Sequence, residues 1–331
     1  MYNTTNRIGM SCLVVLMLGL PSGVEGQVGA SALRDAARAF SPIAALTILS
    51  TGLDTNEVKG GDVEWSPVGE SFEGLERANV ELRRLDEFWF PVQSSVSARR
   101  LETMYQYRSG HLAELNPDMD VSKLSAGDHV LVWKRTPERS SASVGTANQG
   151  RLLDGVMLPP GDAYRVIFPH RAFGTEFAVS EIVRVMDGFS ERYGDLSPMI
   201  VGDLSFRKGG AIVPHLSHQS GRDVDISYPR YGAPANFRRF HPITRRTLRV
   251  EESLWLLKSF IEGGQVEYIF VDRQFQRLLR KEAERQGAPE SWLRKVFQYR
   301  GSGGAIIRHA KGHKDHFHIR FRCQEQDSRC R

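Results

Sequence analysis

The stretch His316-Phe317-His318-Ile319-Arg320-Phe321 constrains this chain more than any other. Extended backbone sends successive side chains to opposite faces. Phe317, Ile319 and Phe321 therefore share one face, and His316, His318 and Arg320 share the other. Burying the apolar trio forces two imidazoles into one common space. A second stretch, Asp223-Val224-Asp225-Ile226, repeats the device: Val224 and Ile226 go inward, and two carboxylates face the other way. Acids and imidazoles thus line the non-core faces of two strands that can be neighbours.

More candidate ligands gather around both strands, with His215 and His218 ahead of Asp223 and His313 ahead of His316. Zinc is the ion that suits them. It takes imidazole nitrogen and carboxylate oxygen in tetrahedral sites, and a catalytic site keeps three protein ligands and one open position. Calcium or magnesium would call for more carboxylates and fewer imidazoles. No cysteine lies near enough in sequence to close a structural site, apart from the pair Cys323 and Cys330 in the C-terminal tail. These two are expected to form a small disulfide loop, because the chain reads as exported.

Export is read from residues 1–26. Arg7 precedes the apolar run Cys12–Leu20, which is too short to span a bilayer, and small residues follow it; this is the pattern of a secretory signal peptide. No other stretch reads as a transmembrane anchor. The net charge of +5 suits an anionic envelope polymer. Nucleic acid is the wrong partner for that compartment, and the basic residues are scattered among acids.

The rest of the chain divides by composition. Residues 27–86 read as an N-terminal extension without a dependable period. Residues 87–135 read as strand, helix, short helix stopped by Pro117, and strand. Residues 136–150 are rich in Ser, Thr, Gly and Asn and read as a linker. Beyond it, residues 151–322 mix helices and strands without regular alternation, an α+β pattern. Thr175 is placed to cap a helix whose stripe is Val179, Ile182, Val183, Met186 and Phe189. Residues 323–331 form the tail.

Two resemblances follow from these residues. The segment ending Leu112-Ala113-Glu114-Leu115-Asn116-Pro117, with its return strand at His129–Trp133, resembles a LysM domain of βααβ form, a family that binds cell-wall glycans. The segments 214–227 and 312–321 resemble the penicillin-insensitive murein endopeptidases, zinc peptidases of the LAS type. The shared pattern is His218, six residues, Asp225, then the distant pair His316 and His318. The resemblance covers about 151–322 and implies a domain with a small central antiparallel sheet and flanking helices.

It further implies one zinc per chain, held by His218, Asp225 and His318. His316 takes the place of the catalytic base, and His313 that of a second active-site histidine. His215 and Asp223 would support the ligands. The implied substrate is the peptide cross-link of peptidoglycan, commonly D-alanyl to meso-diaminopimelate, met in the periplasm. The rival readings are a zinc D-Ala-D-Ala dipeptidase or L,D-carboxypeptidase, and a non-catalytic wall-binding protein with a structural zinc.

Overall fold

The structure is a computed structural model and describes residues 85–136, 139–233, 238–298 and 304–331. The signal peptide expected at 1–26 and the extension up to residue 84 lie outside the described residues. No helix among the described residues is long and apolar enough to cross a membrane.

The first described unit is built around a two-stranded sheet. Strand β1 (Glu87–Pro91) pairs antiparallel with β2 (His129–Lys134), with helices α1 (Ala98–Tyr105) and α2 (His111–Leu115) between them in sequence. Ser97 starts α1 by accepting the Arg100 N–H at 3.2 Å. Leu101, Tyr105, Leu112, Val130 and Val132 bury the shared apolar face. Asn116 joins the end of α2 to the sheet. Its amide donates to the Leu112 and Leu131 carbonyls, and its side-chain oxygen accepts the Leu131 N–H.

The stretch expected to be a linker, 136–150, is instead partly a hairpin. Strands β3 (Ala142–Thr146) and β4 (Gln149–Leu153) pair antiparallel from Ala142↔Leu153 to Thr146↔Gln149. Its small polar residues hide this, because the far end of the chain supplies part of the pairing. Gly145 donates to the Arg329 carbonyl and accepts from the Arg331 N–H, both at 2.9 Å, and Asp327 accepts the Ser143 N–H at 2.9 Å.

The tail is therefore fastened to the hairpin, and its Cys323–Cys330 disulfide is present as expected. Closing this short loop restricts the unfolded chain. Replacing both cysteines by serine is expected to cost about 2 kcal/mol, read as a lower urea midpoint.

The larger domain adds β5 (Val156–Met157), β6 (Tyr164–Val166), β7 (Phe173–Gly174), helix α3 (Glu176–Tyr193) and β8 (Met199–Val201). Then come β9 (Asp223–Ser227), α4 (Val250–Glu262), β10 (Val266–Phe270), α5 (Arg273–Arg285), α6 (Glu290–Val296), β11 (Ile307–Arg308) and β12 (His316–Phe321). Six strands form one sheet in the order β11-β10-β12-β9-β8-β6.

This sheet corrects the expected antiparallel one. Its four inner strands are antiparallel, but β6 pairs parallel with β8 and β10 pairs parallel with β11. Each parallel pair is joined through intervening helix, α3 in one case and α5 with α6 in the other, and such a crossover returns the chain in the same direction.

Thr175 caps α3 as the sequence leads one to expect, accepting the Ala178 N–H at 3.2 Å. Val179, Ile182, Val183, Met186 and Phe189 are all buried. The core beneath the inner strands includes Phe317, Ile319 and Phe321, which are 0%, 0% and 1% exposed. That burial is what turns the histidines of β12 the other way.

Candidate metal centre

Strands β9 and β12 are direct neighbours, so the sequence pattern becomes a register. His318 stands opposite Asp225, Arg320 opposite Asp223, and His316 opposite Ser227. Val224 and Ile226 are buried as well, leaving the two aspartates on the histidine face.

Asp225 is the hub. Its Oδ1 lies 2.9 Å from His318 Nδ1 and 3.8 Å from His316 Nε2. Its Oδ2 lies 3.3 Å from His218 Nε2 and 3.9 Å from His215 Nδ1. Burial alone would raise its pKa. The imidazoles of His218 and His318 overcome that and hold the carboxyl well below the usual carboxylate range. Asp225 is an anion among four imidazoles.

His218 is presented by a loop. Its backbone is left-handed, with φ 65°, its N–H donates to Asp223 Oδ2 at 2.9 Å, and Gly221 follows at φ +74°. A Cβ at Gly221 would come 2.7 Å from Leu152 Cδ1 and 3.0 Å from the Thr175 nitrogen, so the turn needs glycine there. The Leu204 carbonyl, 3.1 Å from His218 Nδ1, accepts only, so Nδ1 carries the proton. Its Nε2 is buried, has no hydrogen-bond partner and lies 3.3 Å from Asp225 Oδ2. A buried nitrogen in this state suits a metal ion, and its second nitrogen is already braced by a carbonyl.

The remaining histidines differ in their partners. His318 meets Asp225 through Nδ1 and Asp223 Oδ1 through Nε2 at 3.2 Å. Burial would lower its pKa, but the two carboxylates raise it to about 9. Asp223 is also held by Arg320, through Nε at 2.7 Å and Nη2 at 3.1 Å. His316 is engaged at Nδ1 by Asp315 Oδ1 at 2.7 Å, stacks on Phe240, and turns Nε2 toward Asp225. The ring of His313 is 4.9 Å from that of His316. Burial, then the neighbouring imidazoles of His316 and His318, lower its pKa to about 4, so it is neutral at pH 7.

His215, His218 and Asp225 each offer one ligand atom, all within 4.8 Å of one another. This grouping shares His218 and Asp225 with the set expected from the sequence. It contains His215, expected only to support, while both nitrogens of His318 face carboxylates. Asp223, expected only to support, lies 3.2 Å from His318 Nε2 through Oδ1.

Several participants carry no readable mark in the sequence. Asp203 follows β8, is 5% exposed, and lies 2.8 Å from His215 Nε2 and 3.3 Å from Arg171 Nη1. Asp315 and Phe240 orient His316 from two different loops. Only the adjacency of Asp315 to His316 offered any hint.

Residues 143–331 match the family model of the penicillin-insensitive murein endopeptidases, and this stretch contains every residue of the centre described above. The chain belongs to that family. A relative from Haemophilus influenzae named penicillin-insensitive murein endopeptidase is 28% identical over 57% of this chain and 66% of its own length. Relatives of the same name from Yersinia enterocolitica and Salmonella arizonae are each 29% identical over 58% of this chain and 70% of their own lengths. The chain thus spans about two thirds of the length of these murein endopeptidases. The βααβ unit at 87–135 precedes the residues matched to the family.

Proposed function

We propose that this chain is an exported zinc-dependent hydrolase that cuts the peptide cross-links of peptidoglycan, of the D-alanyl to meso-diaminopimelyl type. The observation that carries the reading is Asp225 ringed by imidazoles, with His218 Nε2 aimed at it and lacking a hydrogen bond, inside the family-matched stretch. The donor set fits zinc, being imidazole nitrogen and carboxylate oxygen without thiolate.

His218, Asp225 and His318 would hold the ion, with His215 in the same cluster. When bound, zinc supplies Lewis acidity for the scissile carbonyl and lowers the pKa of a water to about 7. Everything else falls to the chain's own residues. His316, with Nδ1–H given to Asp315, keeps a lone pair on Nε2 facing the centre. That nitrogen accepts the proton of the attacking water and returns it to the departing amine. Neutral His313 beside it donates a hydrogen bond to the developing oxyanion. The unit at 87–135 is read as a LysM-like domain that grips wall glycan, and the periplasm as the place where enzyme and polymer meet.

Metal content and wall digestion test this together. The purified chain should carry one zinc, and sacculi incubated with it should lose cross-linked dimers. A chelator should stop the loss and added zinc restore it. Digestion unchanged by chelation would overturn the reading, and loss of monomer stems alone would point to trimming. Metal retention in His215→Ala against His318→Ala then decides which histidine completes the ligand set.

His316→Ala separates chemistry from binding. It should keep its zinc while turnover falls by about 10²–10⁴-fold, the usual contribution of a positioned base. Loss of zinc with unchanged residual turnover would contradict the assignment.

A further inference from the structure

A basic cavity lies outside the residues of this centre. This cavity, of about 550 Å³, opens between the end of β2 and the wall made by β4 with Arg207 and Lys208. Its lining includes Lys134, Arg135, Arg139, Arg151, Arg207 and Lys208, against one acid among the described residues, Asp154. Two of these cations are already neutralised. Arg135 forms a two-pronged pair with Glu176, at 3.0 and 2.7 Å, and Arg139 meets Asp154 at 3.5 Å. Lys134, Arg151, Arg207 and Lys208 are exposed and have no ion-pair partner among the described residues.

Four uncompensated cations around one concavity repel one another, a cost that an anionic ligand removes. Their shared field also raises the local concentration of anions. Arginine forks match the planar geometry of carboxylate oxygens. The volume falls in the range of sites for small molecules or short polymer segments.

The cavity wall is continuous with the loop that carries the metal centre. Leu152 N–H donates to the Lys208 carbonyl at 3.2 Å, and Gly210 N–H donates to the Gln219 carbonyl at 2.9 Å. Gln219, next to His218, in turn donates to the Ala147 carbonyl at 3.1 Å. A polymer lying across the centre therefore has this cavity in its neighbourhood.

We infer that the cavity is an anion subsite that holds carboxylate groups of uncut stem peptides on the wall polymer while another part of that polymer occupies the metal centre. This rests on the peptidoglycan reading above. It assigns Arg151 and Arg207 as principal contacts, with Lys134 and Lys208 adding to the field. Each stem peptide offers carboxylates away from the cross-link, so one polymer can satisfy both sites at once.

Co-sedimentation of the full chain with purified sacculi tests this, with chelator present so that no cleavage intervenes. Arg151→Glu with Arg207→Glu should weaken retention by about tenfold, the scale set by removing several modest charge interactions at once. Arg277→Glu with Lys281→Glu, an equal charge change on the exposed side of α5, should change it by less than about twofold. Arg151→Gln with Arg207→Gln should act in the same direction as the reversal but less strongly, and thermal melts confirm that all variants are folded. Sacculi whose carboxylates have been amidated with a carbodiimide should be retained as poorly by the wild type as native sacculi are by the reversed variant. Sacculi stripped of phosphate esters with hydrofluoric acid should be retained normally.

Equal loss in both reversed pairs, or retention indifferent to amidation, would overturn the subsite. Loss only after phosphate removal would reassign it to another anion and equally overturn the carboxylate proposal. Because binding is read without turnover, an inactive chain that still shows the Arg151 and Arg207 dependence would sink only the hydrolase reading.

Discussion

Asp225→Asn is expected to empty the metal centre and to lower wall hydrolysis by at least about 10³-fold, the scale of several kcal/mol that a bound cation supplies. The substitution keeps the shape of the side chain and removes the one charge on which four imidazoles converge. An amide can still accept one hydrogen bond from His318, so the strand pairing between β9 and β12 should survive. Zinc-to-protein ratio and muropeptide release from sacculi, read on the same preparation, check this. A variant that held one zinc per chain and digested walls at the wild-type rate would remove Asp225 from the centre.

Phe317→Ala is expected to destabilise the fold by about 3–5 kcal/mol, through lost apolar transfer and the cavity left behind. Phe317 is 0% exposed and packs edge-on against Tyr228, with ring centroids 5.4 Å apart. It sits between His316 and His318 on the same strand, pointing the other way. A melting temperature lower by about 10 °C is the corresponding reading for a domain of this size. Phe317→Leu should recover most of the loss, because it refills the greater part of the volume. A melting curve unchanged by the alanine would mean that the apolar face of β12 is not what directs the histidines.

The two predictions probe opposite faces of one strand, and that strand was the most legible part of the sequence. Alternation through His316–Phe321 and Asp223–Ile226 was enough to separate core from site. The cap at Thr175 and the stripe on α3 were readable for a similar reason, since both signals are local. The hairpin at 142–153 was not readable, because its small residues carry no apolar period and its partners come from the chain's last five residues. The parallel edges of the sheet were likewise hidden, as strand direction depends on how the intervening helices return the chain.

At the centre, residue types and faces could be read, but partners could not. Nothing local says that Asp203 braces His215, that Asp315 and Phe240 orient His316, or that Arg320 shares Asp223 with His318. Nor does spacing reveal that His215 enters the ligand grouping while both nitrogens of His318 are met by carboxylates. By itself the sequence determined which side chains face away from the core, because backbone geometry alternates them whatever the neighbours are. Only the tertiary structure decided which of them meet. Those outcomes depend on the register of β9 against β12 and on loops that approach from distant parts of the chain.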